Sequence, residues 1–170
     1  MRAEKLLVIL QALSAFPQMF DYIHDKEDDV TIPSGKIVDI VRYENMAGTL
    51  LDATFSVTSQ DIILRFTIDA NTFELTPREI WQWGKGREER RLFRILRYDP
   101  DYNLFVWGFY PDPPYQITEK ILITMENATA DDVVASWHVY MLMFTDELRN
   151  YLREMLTESE GEGEGGKGES

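Results

Sequence analysis

The chain has 170 residues, a formal net charge of −13, 44% hydrophobic and 12% aromatic residues, which excludes a disordered chain and suits one domain with one sizeable core. It has no cysteine, which excludes disulfides, thiolate catalysis, iron–sulfur clusters and Cys-ligated zinc. Its two histidines, His24 and His138, put a multi-histidine metal site out of reach within one chain, and its acidity argues against nucleic acid, whose phosphates need clustered cations.

Residues 6–16 (LLVILQALSAF) form the one long apolar run. It is too short to cross a bilayer, which takes about 20 apolar residues. Leu6, Ile9, Leu10, Leu13 and Phe16 recur at helical spacing, so a docked helix is expected over 4–16, ending before Pro17. As a signal peptide the same run has Arg2 and Lys5 ahead of it and Ala12-Leu13-Ser14 as a cleavage site, against which stand Glu4 and Gln11. The acidic stretch 21–29 reads as a solvated linker, because its carboxylates lack the spacing of a calcium loop. Residues 1–29 are thus a helix plus linker.

Strands follow. Short ones are expected at 30–32 and 36–43. Over 51–57 and 62–68 apolar and polar residues alternate with period two, and the polar link 58–61 suggests that the two runs pair as a hairpin. Phe73 and Leu75 begin another strand. Thr76-Pro77-Arg78-Glu79 is a capping box with proline in the first turn, so a helix is expected over 77–83, with Ile80, Trp81 and Trp83 as its apolar load and a lid on one end of the sheets as its role. Two strands, 92–98 and 104–110, flank the turn-rich loop 99–103. Pro111-Asp112-Pro113-Pro114 makes a rigid connection. A strand over 117–125, a loop over 127–132 holding the glycosylation sequon Asn127-Ala128-Thr129, a strand over 133–144 and an amphipathic helix over 146–156 complete the domain, 30–156. Residues 157–170 carry five glutamates and no large apolar side chain, the composition of a disordered acidic tail.

The expected fold class is mainly β: an antiparallel two-sheet sandwich, jelly-roll-like, with three helices. The run 48–75 (GTLLDATFSVTSQDIILRFTIDANTFEL), followed by Pro113-Pro114-Tyr115 and the strand 120–127 (KILITMEN), resembles single jelly-roll virion structural or receptor-binding proteins of phages and archaeal viruses. The resemblance spans residues 30–144. It implies a structural or receptor-binding role and a location in the virion or the host cytoplasm, and it assigns no functional residue.

Catalytic signatures are missing from the sequence. Gly84-Lys85-Gly86 lacks P-loop spacing, there is no G-x-S-x-G, and neither histidine sits in H-E-x-x-H. The expectation is a non-enzymatic protein with no catalytic residue, metal or cofactor. Between 85 and 97 six cations face only Glu88 and Glu89. Lys85, Arg87, Arg90, Arg91 and Arg94 are therefore candidate partner contacts, with the acidic 21–29 stretch of another copy as their counterpart. The expected partners are other copies in a homo-oligomer or other virion proteins, with no nucleic acid and no membrane span. The alternative is a small-ligand or carbohydrate-binding sandwich, with Trp81, Trp83, Trp107 and Tyr115 as stacking residues.

Overall fold

The computed structural model describes residues 20–83 and 93–161, with backbone alone for 83 and 155–161. The expected N-terminal helix, Lys85, Arg87, Arg90, Arg91 and the tail beyond 161 lie outside the described residues. Two units are distinguished, Tyr22–Leu142 and the two terminal segments, residues 1–21 and 143–170.

The strands are β1 (Phe20–Ile32), β2 (Ile37–Glu44), β3 (Gly48–Val57), β4 (Ile63–Ile68), β5 (Asn71–Leu75), β6 (Phe93–Asp99), β7 (Leu104–Phe109), β8 (Tyr115–Ile117), β9 (Lys120–Glu126) and β10 (Val133–Phe144). The helices are α1 (Pro77–Trp83) and α2 (Asp146–Gly161). One sheet has the order β1-β10-β3-β7-β6, with β8 also paired to β3; the other has the order β2-β9-β4-β5. The architecture is mainly β, two antiparallel sheets in a sandwich-like arrangement.

Period-two patterning explains the core. Leu50, Ala53, Phe55 and Val57 of β3 and Phe105, Trp107 and Phe109 of β7 turn inward from one sheet. Leu64, Phe66 and Ile68 of β4 and Ile121, Ile123 and Met125 of β9 meet them from the other. Phe66 is the hinge of this packing, edge-on to Phe55 at 5.8 Å and 5.3 Å from Phe109. Each such side chain, fully buried, contributes about 1.5–3 kcal/mol.

Four elements differ from the sequence expectation. The acidic stretch 21–29 is no linker but most of β1, an edge strand. Its carboxylates and Lys26 suit that position, because charge on an edge discourages uncontrolled pairing. The runs 51–57 and 62–68 are strands but not a hairpin: β3 and β4 belong to different sheets, and β4 pairs with β5 and β9. Alternation marks which side of a strand is buried, and says nothing of its neighbour. The strand expected over 117–125 is broken at Thr118-Glu119, where the chain leaves β8 in one sheet for β9 in the other. Helix α2 continues to Gly161, past the expected end at Leu156. Glutamates at 158 and 160 are good helix formers and extend it until glycine dominates the sequence.

Other expectations hold. In α1, Thr76 Oγ1 accepts from the Glu79 N–H at 3.2 Å and Glu79 Oε2 accepts from the Thr76 N–H at 2.9 Å, a complete capping box. β6 and β7 form the expected hairpin, with Asp99 opposite Leu104. In the terminal unit, Phe20 packs edge-on to Phe144 at 5.5 Å and Leu148 of α2 is buried.

Candidate functional site

The two outer faces of the sheets differ in chemistry. On the four-stranded sheet the outward residues of β4 and its neighbours are Arg65, Thr67, Thr72 and Glu74, tied by Arg65 to Glu74 at 2.7 Å and by Thr67 to Thr72 at 3.1 Å. The six-stranded sheet instead carries aromatic and histidine side chains along β1 and β10. Tyr22, 62% exposed, lies 6.2 Å from Tyr140. The Tyr140 ring stacks on His24 at 4.3 Å with an interplanar angle of 15°. His24 in turn faces His138, Nε2 to Nδ1, at 3.1 Å. These contacts follow from the antiparallel pairing of β1 with β10, which sets Tyr22 beside Tyr140 and His24 beside His138.

Beside this ladder the β1 edge is acidic. Asp25, Lys26, Glu27 and Val30 of β1, with Val38, Asp39 and Ile40 of β2 and Trp137 of β10, line a shallow groove of about 380 Å³. Burial pushes the Asp25 carboxyl above its ordinary range, partly offset by the Tyr43 hydroxyl that donates to it and by His24 nearby. Burial also raises the Tyr43 phenol, and the Asp25 charge adds to that rise. At the strand's end Lys26 pairs with Asp28 at 2.9 Å, and Asp28 Oδ1 lies 3.7 Å from His138 Nε2. Lys26 holds the Asp28 carboxyl below its usual range chiefly by its hydrogen bond.

β6 lies at the other end of the same sheet. Arg94, opposite Gly108, and Arg97 are exposed on it, and Arg97 pairs with Asp99 at 2.9 Å. Among the described residues the acidic stretch and the two arginines Arg94 and Arg97 thus lie on opposite edge strands of one sheet.

The four stacking candidates do not form a platform. Trp107 is fully buried, 4.9 Å from Phe55, so a ligand-stacking role for it is excluded; its ring belongs to the core, although its indole N–H meets no acceptor among the described residues. Tyr115 is half-buried, edge-on to Phe73 at 6.1 Å. Trp81 is exposed beside Tyr98 at 5.7 Å. Trp83 ends α1, and its side chain is outside the described residues.

The sequon is not an open site. Asn127 is fully buried and its amide donates to the carbonyls of Ile32 and Asp131, each at 2.8 Å. Its Oδ1 accepts from the Thr129 N–H at 3.0 Å and hydroxyl at 2.7 Å. No glycan fits on an amide enclosed in this way.

Sequence reasoning missed Tyr22, Tyr43, Tyr140 and the meeting of His24 with His138. One signal was available: Phe20, Tyr22 and His24 share a period of two, the mark of one strand face. Among the described residues no helix is long and apolar enough to cross a membrane. No family model matches the chain, and no curated protein is similar to it.

Proposed function

We propose that this chain is a non-enzymatic assembly protein, a structural component of a virion that works through contacts between copies or with other virion proteins. The observation that carries the reading is the strand order. With β6 and β8 set aside, the sheets read β1-β10-β3-β7 and β2-β9-β4-β5. In chain order the remaining eight strands are first-eighth-third-sixth and second-seventh-fourth-fifth, an order that supports reading the sandwich as a jelly roll, a fold of viral capsid and lectin domains. Fold analogy supports a role by association only.

A second observation supports assembly as such. An acidic edge on β1 and a basic edge on β6, at opposite ends of one sheet, favour head-to-tail contact between copies. Such contact is heterologous and builds rings or open arrays. Exposed ion pairs contribute about 0.2–1 kcal/mol each, so they orient the copies and apolar area supplies the affinity.

The test is sedimentation of the full chain at two salt concentrations. An oligomer whose population falls as salt rises is expected. A monomer at every concentration and salt level would overturn the reading.

A further inference from the structure

We infer that His24 and His138 form a two-imidazole chelate for a divalent transition-metal ion of the kind imidazole favours: copper, nickel or zinc. The inference stands apart from the assembly reading and does not depend on it.

The two rings come from residues 114 apart in sequence, yet His24 Nε2 and His138 Nδ1 face each other at 3.1 Å. A metal held at the usual ~2.0–2.1 Å from each nitrogen would see them at an angle of about 95–100°, between the tetragonal and tetrahedral values. The separation therefore already matches a chelate bite. Binding takes a turn of each ring that aims both lone pairs at the ion instead of at one another.

The surroundings hold the pair ready. Tyr140 stacks on the His24 ring at 4.3 Å and holds it on the face of the sheet that carries His138. Asp28 Oδ1 lies 3.7 Å from His138 Nε2. A carboxylate on that side favours the tautomer with the proton on Nε2, leaving Nδ1 as the free donor atom, the arrangement that metal-ligating histidines commonly have. In the metal-free pair His24 Nε2–H then donates to His138 Nδ1. On metal binding the His24 proton moves to its own Nδ1, both rings stay neutral, and no proton is lost. Among the described residues no cluster of three or more histidines and carboxylates is present, so water completes the coordination.

The test is a titration of the full chain with ZnCl2, read by calorimetry and by the imidazole C–H signals in NMR. The chain has only two histidines, so the signals are assigned by one variant each. Both imidazoles are expected to shift together and saturate at one ion per chain, while MgCl2 leaves them unmoved. His24→Ala and His138→Ala should each weaken the binding at least tenfold. A smaller loss in either variant, movement of one imidazole alone, or heat of binding with both imidazole signals still would overturn the proposal, the last by placing the ion on carboxylates. Should an alanine variant lose its fold by circular dichroism, His24→Gln or His138→Gln takes its place under the same criteria.

Discussion

Tyr110 lies across Gly108 and reaches Thr54 on the neighbouring strand. A Cβ at position 108 would stand 2.4 Å from the Tyr110 ring, and the Tyr110 hydroxyl is 3.1 Å from Thr54 Oγ1. Thr54 is itself the register partner of Gly108. The ring thus fills the space that glycine leaves on the outer face of β7 and pins β7 to β3.

Gly108→Ala should therefore destabilise the protein by about 1–3 kcal/mol, the usual cost of forcing extra volume into a filled site. Tyr110→Phe should cost only the hydrogen bond, about 0.5–1.5 kcal/mol. In a Tyr110→Ala background, Gly108→Ala should cost much less, because the clash is gone. Urea unfolding of the three variants and the double variant checks this; equal costs in both backgrounds would refute the coupling.

Asp69 holds the point where the chain changes sheets. It has a left-handed φ of 54° in the β4–β5 turn, and its carboxylate accepts from the Thr118 hydroxyl at 2.9 Å and from the N–H groups of Thr118, Glu119 and Lys120 at 2.8–3.1 Å. Burial pushes its pKa up, but the hydrogen bonds from Lys120, Glu119 and Thr118 outweigh it, and the net displacement is downward. A carboxyl lowered on folding adds stability above its unfolded pKa, about 3.9, and loses it as pH falls through the folded value. The stability gap between the native chain and Asp69→Asn should be constant above about pH 5 and shrink below pH 4. A gap that does not change with pH would show that the charge does no work there.

The legible and illegible parts of this fold divide along one line. Period-two alternation in 51–57 and 62–68 marks strands because burial of one side is a local property. Thr76 and Glu79 announce α1 because a capping box is also local. Pairing is not local, so the link 58–61 looked like a hairpin turn while it carries the chain between sheets. Asp69 is invisible in the same way: its partners are about 50 residues away, and nothing beside it in sequence distinguishes it from any turn aspartate. The acidic stretch 21–29 misled because charge normally signals solvent, whereas an edge strand tolerates charge on one rim and stacks its other side chains on β10. His24 and His138 could be counted in the sequence, but only the β1–β10 register brings them together.

Asn127 is expected to be among the least replaceable polar residues. All its amide hydrogen-bonding capacity is used, and its backbone N–H donates to Lys36 O at 2.9 Å while its carbonyl accepts from Gly35 at 2.8 Å. It ties the end of β9 to the turn between β1 and β2. Asn127→Ala would leave the Ile32 and Asp131 carbonyls without this donor, so a loss of about 2–4 kcal/mol is expected. Asn127→Asp should be comparably harmful, since it replaces the donating amide with an acceptor facing two carbonyls. Thermal unfolding of the two variants decides it; a shift under a degree in both would show that the clamp is not used.

The head-to-tail arrangement makes a prediction that no symmetric contact shares. Arg94→Glu with Arg97→Glu gives a chain acidic on both edges of the six-stranded sheet. Asp21→Lys with Glu27→Lys and Asp28→Lys leaves β6 basic and turns β1, with its five carboxylates and one lysine, into a net positive edge, so this second chain also lacks opposite edges. Each variant alone should assemble more weakly than the native chain, and the defect should diminish as salt screens the repulsion. Mixed in equal amounts the two restore opposite charges at every junction, because the acidic β6 of one chain meets the reversed β1 of the other, and the basic β6 of that chain meets an unaltered β1. Assembly in the mixture should then exceed that of either variant alone. A two-fold contact would pair one edge with its own kind, so the variant altered on the other edge would assemble like the native chain. Sedimentation of the separate and mixed variants at low salt reads the difference directly, and a mixture no more assembled than its components would rule out the β1-to-β6 contact.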